Sequence, residues 1–431
     1  MNNMKFVKNL FRRITSTKEK QVLLENFLSL SFLQTANYIL PLITLPYLVR
    51  VLGPEKFGLI AFAQAMTQYF SVFTEYGFNF SATREISICR DNPQKVSNIF
   101  NAVIIAKLLL VVVSFLFLAI LVIYVPKFRA DWCVYFFAFG SVVGSSLFPT
   151  WFFQGIERMR YITVLNMIGK LIFTIAIFVF IKTQNDFLYV PLITSLGFII
   201  TGLLSLWVVF NKFKIRFVLP NYENIRHQLN EGCHTFISTM SITLYTNTNT
   251  FVLGLLTNNT IVGYYSAAEK LISAVRGMLG VISQSVYPYI SKIAAESKDS
   301  ALRLIRELTK IIGWAFFTIS VLIFMFAAPI VTIILGPKYH NSIVVLRILS
   351  FLPFIIALSN IYAVQGLFAF GRQKTVSKYI SMTAVAYVPT MIAMAYSFNQ
   401  IGTAVSVIII EIIITLLSRH YYFKMVNEHD I

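Results

Sequence analysis

Apolar runs of about twenty residues recur about twelve times between Val22 and Phe423. Each run is long enough, as a helix, to cross a hydrocarbon layer about 30 Å thick. This constraint outweighs every other feature, because a chain built this way folds around lipid. Composition agrees: 57% of residues are hydrophobic, only 13% are charged, and the mean hydropathy is +0.72. The runs place spans one to twelve at 22–48, 56–82, 98–124, 132–156, 161–181, 187–210, 230–256, 260–288, 308–335, 342–369, 376–398 and 401–423. The fold class expected is all-α, a polytopic membrane protein.

The formal charge of +18 would suit a nucleic-acid binder, but its placement argues otherwise. Six Lys and Arg residues lie in 1–21, and four each lie in 211–229 and 289–307, whereas none lies between spans seven and eight. Basic residues retained inside put both termini in the cytoplasm and make the number of spans even. The amino-terminal stretch KFVKNLFRRI is basic and amphipathic and suits the surface of an anionic bilayer. The run after it carries Glu25, Asn26 and Gln34 and lacks a small-residue cleavage site, so it is read as a retained span. Cys89, Cys133 and Cys233 match no metal or redox spacing, and the five histidines are scattered, so neither metal nor cofactor is expected. GLFAFGRQK at 366–374 has the glycine spacing of a phosphate loop, but Arg372 and Gln373 replace the Lys and Ser/Thr that the loop needs.

The longest cytoplasmic loop falls after six spans. It divides the chain into an amphipathic segment at 1–21, a bundle at 22–210, a linker at 211–229, a second bundle at 230–423 and a tail at 424–431. The bundles resemble each other, because VLGPEKFGLIAFAQAM at 51–66 and VLGLLTNNTIVGYYSAAEKL at 252–271 each end an outward loop and open a span. Anchored on Gly58 and Gly263, the offset is 205 residues, and six spans per unit imply a parallel repeat about an axis along the membrane normal.

On a helical wheel, Ser266, Glu269, Ser273, Arg276, Gly280, Gln284 and Tyr287 share one face of span eight, with Lys270 at its rim. Span two repeats this with Gln64, Thr67, Gln68, Ser71, Glu75 and Asn79, and span seven offers Thr235, Ser238, Thr239, Thr246 and Asn249. An isolated charge at the centre of a lipid-facing helix costs on the order of 3 kcal/mol, so Glu269, Lys270 and Arg276 require a polar surrounding. A water-filled cavity lined by spans one, two, seven and eight would supply it. Interhelical hydrogen bonds, with Glu269 and Arg276 neutralising each other, would also account for the pattern. Candidate residues for an anionic ligand are Lys270, Arg276, Lys170, Gln64, Gln68 and Asn249. Glu269, Glu75 and Glu411 are candidates for ion coupling or charge pairing, since burial raises a carboxyl pKa.

LPYLVRVLGPEKFG at 45–58, WFFQGIERM at 151–159, VGYYSAAEKL at 262–271 and LRILS at 346–350 resemble the bacterial lipid-linked oligosaccharide flippases of O-antigen and capsule synthesis. These form the polysaccharide-transporter branch of the multidrug/oligosaccharidyl-lipid/polysaccharide exporter superfamily. The resemblance implies two MATE-like six-helix bundles in a V, in the bacterial plasma (inner) membrane, moving undecaprenyl-diphosphate-linked sugar units to the outer leaflet by alternating access. The short loops leave no room for a catalytic domain, and without an ATP site the energy source expected is an H+ or Na+ gradient or downstream cargo consumption; the partners expected are a polysaccharide polymerase and other assembly proteins. A drug/cation antiporter of the same superfamily is the nearest alternative, although excess Lys and Arg in the cavity speaks against cationic cargo. A polysaccharide polymerase or ligase would need a large outward loop, and the outward loops here are short.

Overall fold

In a computed structural model that describes residues Lys18–Asn427, every expected span falls on helix, and the described residues contain no strand. The basic segment at 5–14 and the last residues of the tail lie outside the described part. Among the described residues seven helices, from Pro93–Tyr124 to Gln373–Asn427, are long and apolar enough to cross a membrane, and the protein is an all-α, multi-pass membrane protein. Tyr222–Leu256 and Asn259–Glu296 are not among them, because the polar residues of spans seven and eight lower their hydropathy. Spans one and two run as one long helix, Lys18–Glu75, turned sharply at Gly53, whose φ of 70° is open to glycine at no steric cost. Asn399, at φ 51°, makes the corresponding turn between spans eleven and twelve. Asn92 and Asn258 accept hydrogen bonds from the backbone N–H groups of Lys95 and Ile261, and so cap spans three and eight.

Packing divides the chain into two compact units. The first comprises Met1–Leu40, Thr67–Val179 and Leu188–Met240. Its centre is aromatic, with Phe78, Phe100, Trp151, Phe152 and Phe153 almost wholly enclosed. Part of the WFFQGIERM stretch is therefore core: Thr83 donates a hydrogen bond to the Trp151 carbonyl at 3.2 Å, and a Cβ on Gly155 would meet Ile86 at 2.6 Å. Spans four and six approach closely through small residues, since a Cβ on Gly144 would stand 2.3 Å from the backbone of Phe198. At the far end of span two, Gly77 lies against Gly232 and Phe236 of span seven, and the Tyr76 and Phe236 rings stack with centroids 4.7 Å apart.

The second unit comprises Pro41–Met66, Phe180–Phe187 and Ser241–Ile431. Within it the hairpin joining spans one and two seats on the start of span eight. A Cβ on Gly58 would lie 1.8 Å from the Asn259 carbonyl oxygen, and one on Gly263 would lie 2.0 Å from the Pro54 carbonyl oxygen. Asn259 and Gly263 follow Pro54 and Gly58 by the same 205 residues, so the contact is reciprocal. Gly58 is therefore a packing glycine, while the turn belongs to Gly53. Arg50 donates to the Ile333 carbonyl, and Phe62 stacks on Phe251 at 5.6 Å. LRILS is core as well, with Leu346, Leu349 and Ser350 buried.

Candidate functional site

Span eight supplies the candidate residues from a single helix, Asn259–Glu296. Lys270, half-buried, donates to Gln64 Oε1 at 3.4 Å, and its ammonium lies 5.5 Å from the centroid of the buried Phe57 ring. Both partners are neutral. Glu269 accepts a 2.5 Å hydrogen bond from the Ser273 hydroxyl one turn along. Among the described residues neither Lys270 nor Arg276 stands within ion-pair distance of a carboxylate. Glu269 and Arg276, whose spacing allows mutual neutralisation, both act on the Tyr265 hydroxyl without standing at ion-pair distance, while Glu269 holds the Ser273 hydroxyl.

A pair of tyrosines organises the rest of this site. Tyr265 is fully buried, and its hydroxyl lies within electrostatic reach of Glu269, Arg276 and Tyr387. Tyr387, on span eleven, donates to Asn249 Oδ1 on span seven, hydrogen-bonds Ser406 on span twelve, and senses Glu411. Gln64, Asn249, Glu269, Lys270, Arg276 and Glu411 therefore all belong to the second unit, drawn from spans two, seven, eight and twelve. Such an arrangement can bind an anion through Lys270 and Arg276 and fix neutral hydroxyl-bearing groups through the amides and phenols. Among the described residues no cluster of His, Cys, Asp or Glu is arranged to hold a metal ion.

The remaining candidates lie in the first unit. Lys170, half-buried, donates to Asn37 Oδ1. Gln68 is exposed. Glu75 pairs with Lys107 at 2.8 Å.

Residues 23–294 match the model of the polysaccharide biosynthesis protein family. The chain belongs to that family. The matched stretch of this polysaccharide biosynthesis family chain runs from span one to the end of span eight and so contains both repeat segments and the Lys270 site. A protein of Escherichia coli (strain K12) named for the transport of O-antigen is 35% identical over 401 residues, covering 92% of this chain and 96% of that relative. Two solved structures share the fold at low identity. One is an inward-facing multidrug resistance MATE transporter of the MOP superfamily (TM-score 0.67, 14% identity, 92% of this chain and 98% of that one). The other is the lipid II flippase MurJ in an inward closed conformation (TM-score 0.65, 15% identity, 92% of this chain and 86% of that one).

Sequence reasoning missed Phe57, Tyr265, Tyr387 and Lys107 in this family member. The tyrosines read as ordinary apolar-helix residues, and their role appears only when spans seven, eight, eleven and twelve meet. Lys107 did carry a signal, as the one charge in NAVIIAKLLLVVV.

Proposed function

We propose that the protein is a flippase that carries undecaprenyl-diphosphate-linked oligosaccharide units from the cytoplasmic to the outer leaflet of the bacterial plasma membrane. Both termini lie in the cytoplasm, and the glycan passes onward to a polysaccharide polymerase and its assembly partners. The observation that carries this reading is the state of Lys270. Its charge is held inside a membrane helix by an amide and an aromatic face, with no carboxylate at ion-pair distance. A diphosphate loses hydration when it leaves water, and the Lys270 ammonium with the Arg276 guanidinium, about 9 Å away along the axis, replaces it with charge-assisted hydrogen bonds. Gln64 and Asn249 then face the sugars, with the buried Tyr265 and Tyr387 behind them. The name of the Escherichia coli relative supports a glycan cargo, and two cations, Lys270 and Arg276, beside one carboxylate, Glu269, disfavour a cationic drug.

Movement follows alternating access, for which two glycine contacts are suited. Gly58 against Gly263 closes the hairpin side of span two, and Gly77 against Gly232 closes its opposite end. Backbone-to-backbone contacts of this kind are made or broken as wholes. Coupling to an H+ or Na+ gradient falls to Glu269 and Glu411 beside the tyrosines, since Glu75 is already engaged by Lys107.

The test uses cells whose own flippase is deleted and which depend on this chain for surface polysaccharide. Lys270→Ala and Arg276→Ala each lower surface polysaccharide at least tenfold, with lipid-linked units accumulating and normal amounts of protein in the membrane. Arg276→Lys restores export in part, because the planar fork is lost. Wild-type export by both alanine variants would refute the head-group site.

A further inference from the structure

Span two does not run unbroken through its polar half. Its helix stops at Glu75, Tyr76 and Gly77 both take positive φ (45° and 78°), and helix resumes at Phe78. The break falls within the stretch 56–82 that the sequence assigns to span two, about 8 Å of helix before residue 82. The last carbonyls of a helix lack intrahelical partners and carry the negative end of the helix dipole. Here that end also carries the Glu75 carboxylate. Broken spanning helices that present carbonyl ends in this way are sites where monovalent cations are held.

The cation present is the chain's own. Lys107 of span three reaches Glu75 Oε1 at 2.8 Å, and its side chain is 0% exposed. Glu75 is 26% exposed, so the enclosed member of the pair is the ammonium. Glu75 Oε2 is buried with no hydrogen-bond partner, and so is Oδ1 of Asn79 just beyond the break. Both carboxylate oxygens of Glu75 and the amide oxygen of Asn79 thus gather at a helix C-terminus, and the ammonium reaches only Oε1. A hydrophobic packing site would contain none of these groups, and a site evolved only for a salt bridge would cover the second carboxylate oxygen.

We infer that the break in span two is a monovalent-cation site whose occupant is the tethered Lys107 ammonium, so that this end of the molecule carries a built-in counterpart of an exchangeable ion. Because Lys107 is always at hand, this part of the chain needs no ion drawn from solution during a transport cycle. The other titratable groups packed here are Tyr76 itself and Cys233 of span seven, which hydrogen-bonds it.

Removing the tether converts the site into one that takes a free cation. The full chain is purified in detergent, and its Tm is measured in NaCl, KCl and choline chloride at equal ionic strength, between pH 5.5 and 8. Lys107→Met gains an upward Tm shift of about 3 °C or more on cation binding. Seen in NaCl at pH 8, the shift identifies an alkali ion; seen in choline on acidification, it identifies a proton. Neither wild type nor Glu75→Gln/Lys107→Met shows the extra shift, which separates it from any response of Glu269 or Glu411. The same Tm for Lys107→Met under every condition would overturn the inference. So would a Lys107→Met chain that accumulates in no growth medium, sodium-rich or acidic, while the double variant does, because the pair would then be a fixed structural bridge.

Discussion

Lys107 and Lys270 are two lysines inside membrane helices, and the protein treats them oppositely. Lys107 is wholly enclosed and in direct contact with a carboxylate, whereas Lys270 is half-buried, touches an amide and a ring face, and feels the Glu269 carboxylate only from beyond ion-pair distance. Desolvating an ammonium costs several kcal/mol, which a nearby opposite charge offsets. At Lys107 the offset is internal and the local charge is spent. At Lys270 the charge is kept available, and the ring face recovers only part of the lost hydration, about 0.5–2 kcal/mol. A buried charge is thus a sign of ligand binding only after its partners are known.

Three measurements sharpen or break this contrast. The largest effect is expected from stripping each lysine of its partner. Glu75→Gln leaves an enclosed ammonium without its carboxylate and destabilises the fold by about 3 kcal/mol, seen as a lower denaturation midpoint. Gln64→Leu beside Lys270 costs only about 1 kcal/mol but lowers export. Equal stability losses would mean that the two lysines are of one kind. An intermediate effect is expected at the reciprocal glycine contact. Gly263→Ala drives a methyl group into the Pro54 carbonyl and costs about 1–3 kcal/mol. Gly313→Ala, whose nearest neighbour would be Leu358 at 3.7 Å, is neutral or slightly stabilising in a helix; thermal unfolding compares the two.

The smallest effect belongs to a charge outside the membrane. Asp186 accepts hydrogen bonds from the Lys182 and Thr183 backbone N–H groups and the Thr183 hydroxyl. The Lys182 and Thr183 amides hold its carboxyl below the ordinary range. Its folded pKa is the lower one, so its contribution is present above the unfolded value and disappears as the pH falls through the folded value. Asp186→Ala should therefore speed amide exchange at Lys182 and Thr183 several-fold at neutral pH, leave export unchanged, and lose its difference from wild type in strong acid. A global loss of stability would show that surface charge matters here as much as buried charge.

The helical spans and the two glycines at 58 and 263 were legible in the sequence because each is a local pattern: a run length, an offset. Partner choice was not. Nothing in residues 267–277 reveals that Glu269 turns to Ser273, that Lys270 reaches back 206 residues to Gln64, or that Tyr387 joins spans seven, eleven and twelve. The Glu75–Lys107 pair shows the same limit. Glu75 stood out on its polar face, but Lys107 sits alone in the apolar run NAVIIAKLLLVVV, and only tertiary packing joins them.

The reciprocal seat of Gly58 and Gly263 also sets a timetable for biosynthesis. The groove that receives the first hairpin is made of residues translated 205 positions later, which at 5–20 residues per second is a delay of roughly 10–40 s. Until then the hairpin crosses the membrane with its glycine surface unmet. The nascent first half must therefore persist as an incomplete folding intermediate, and a ribosome that stalls before span eight leaves behind a chain whose first turn has nowhere to dock.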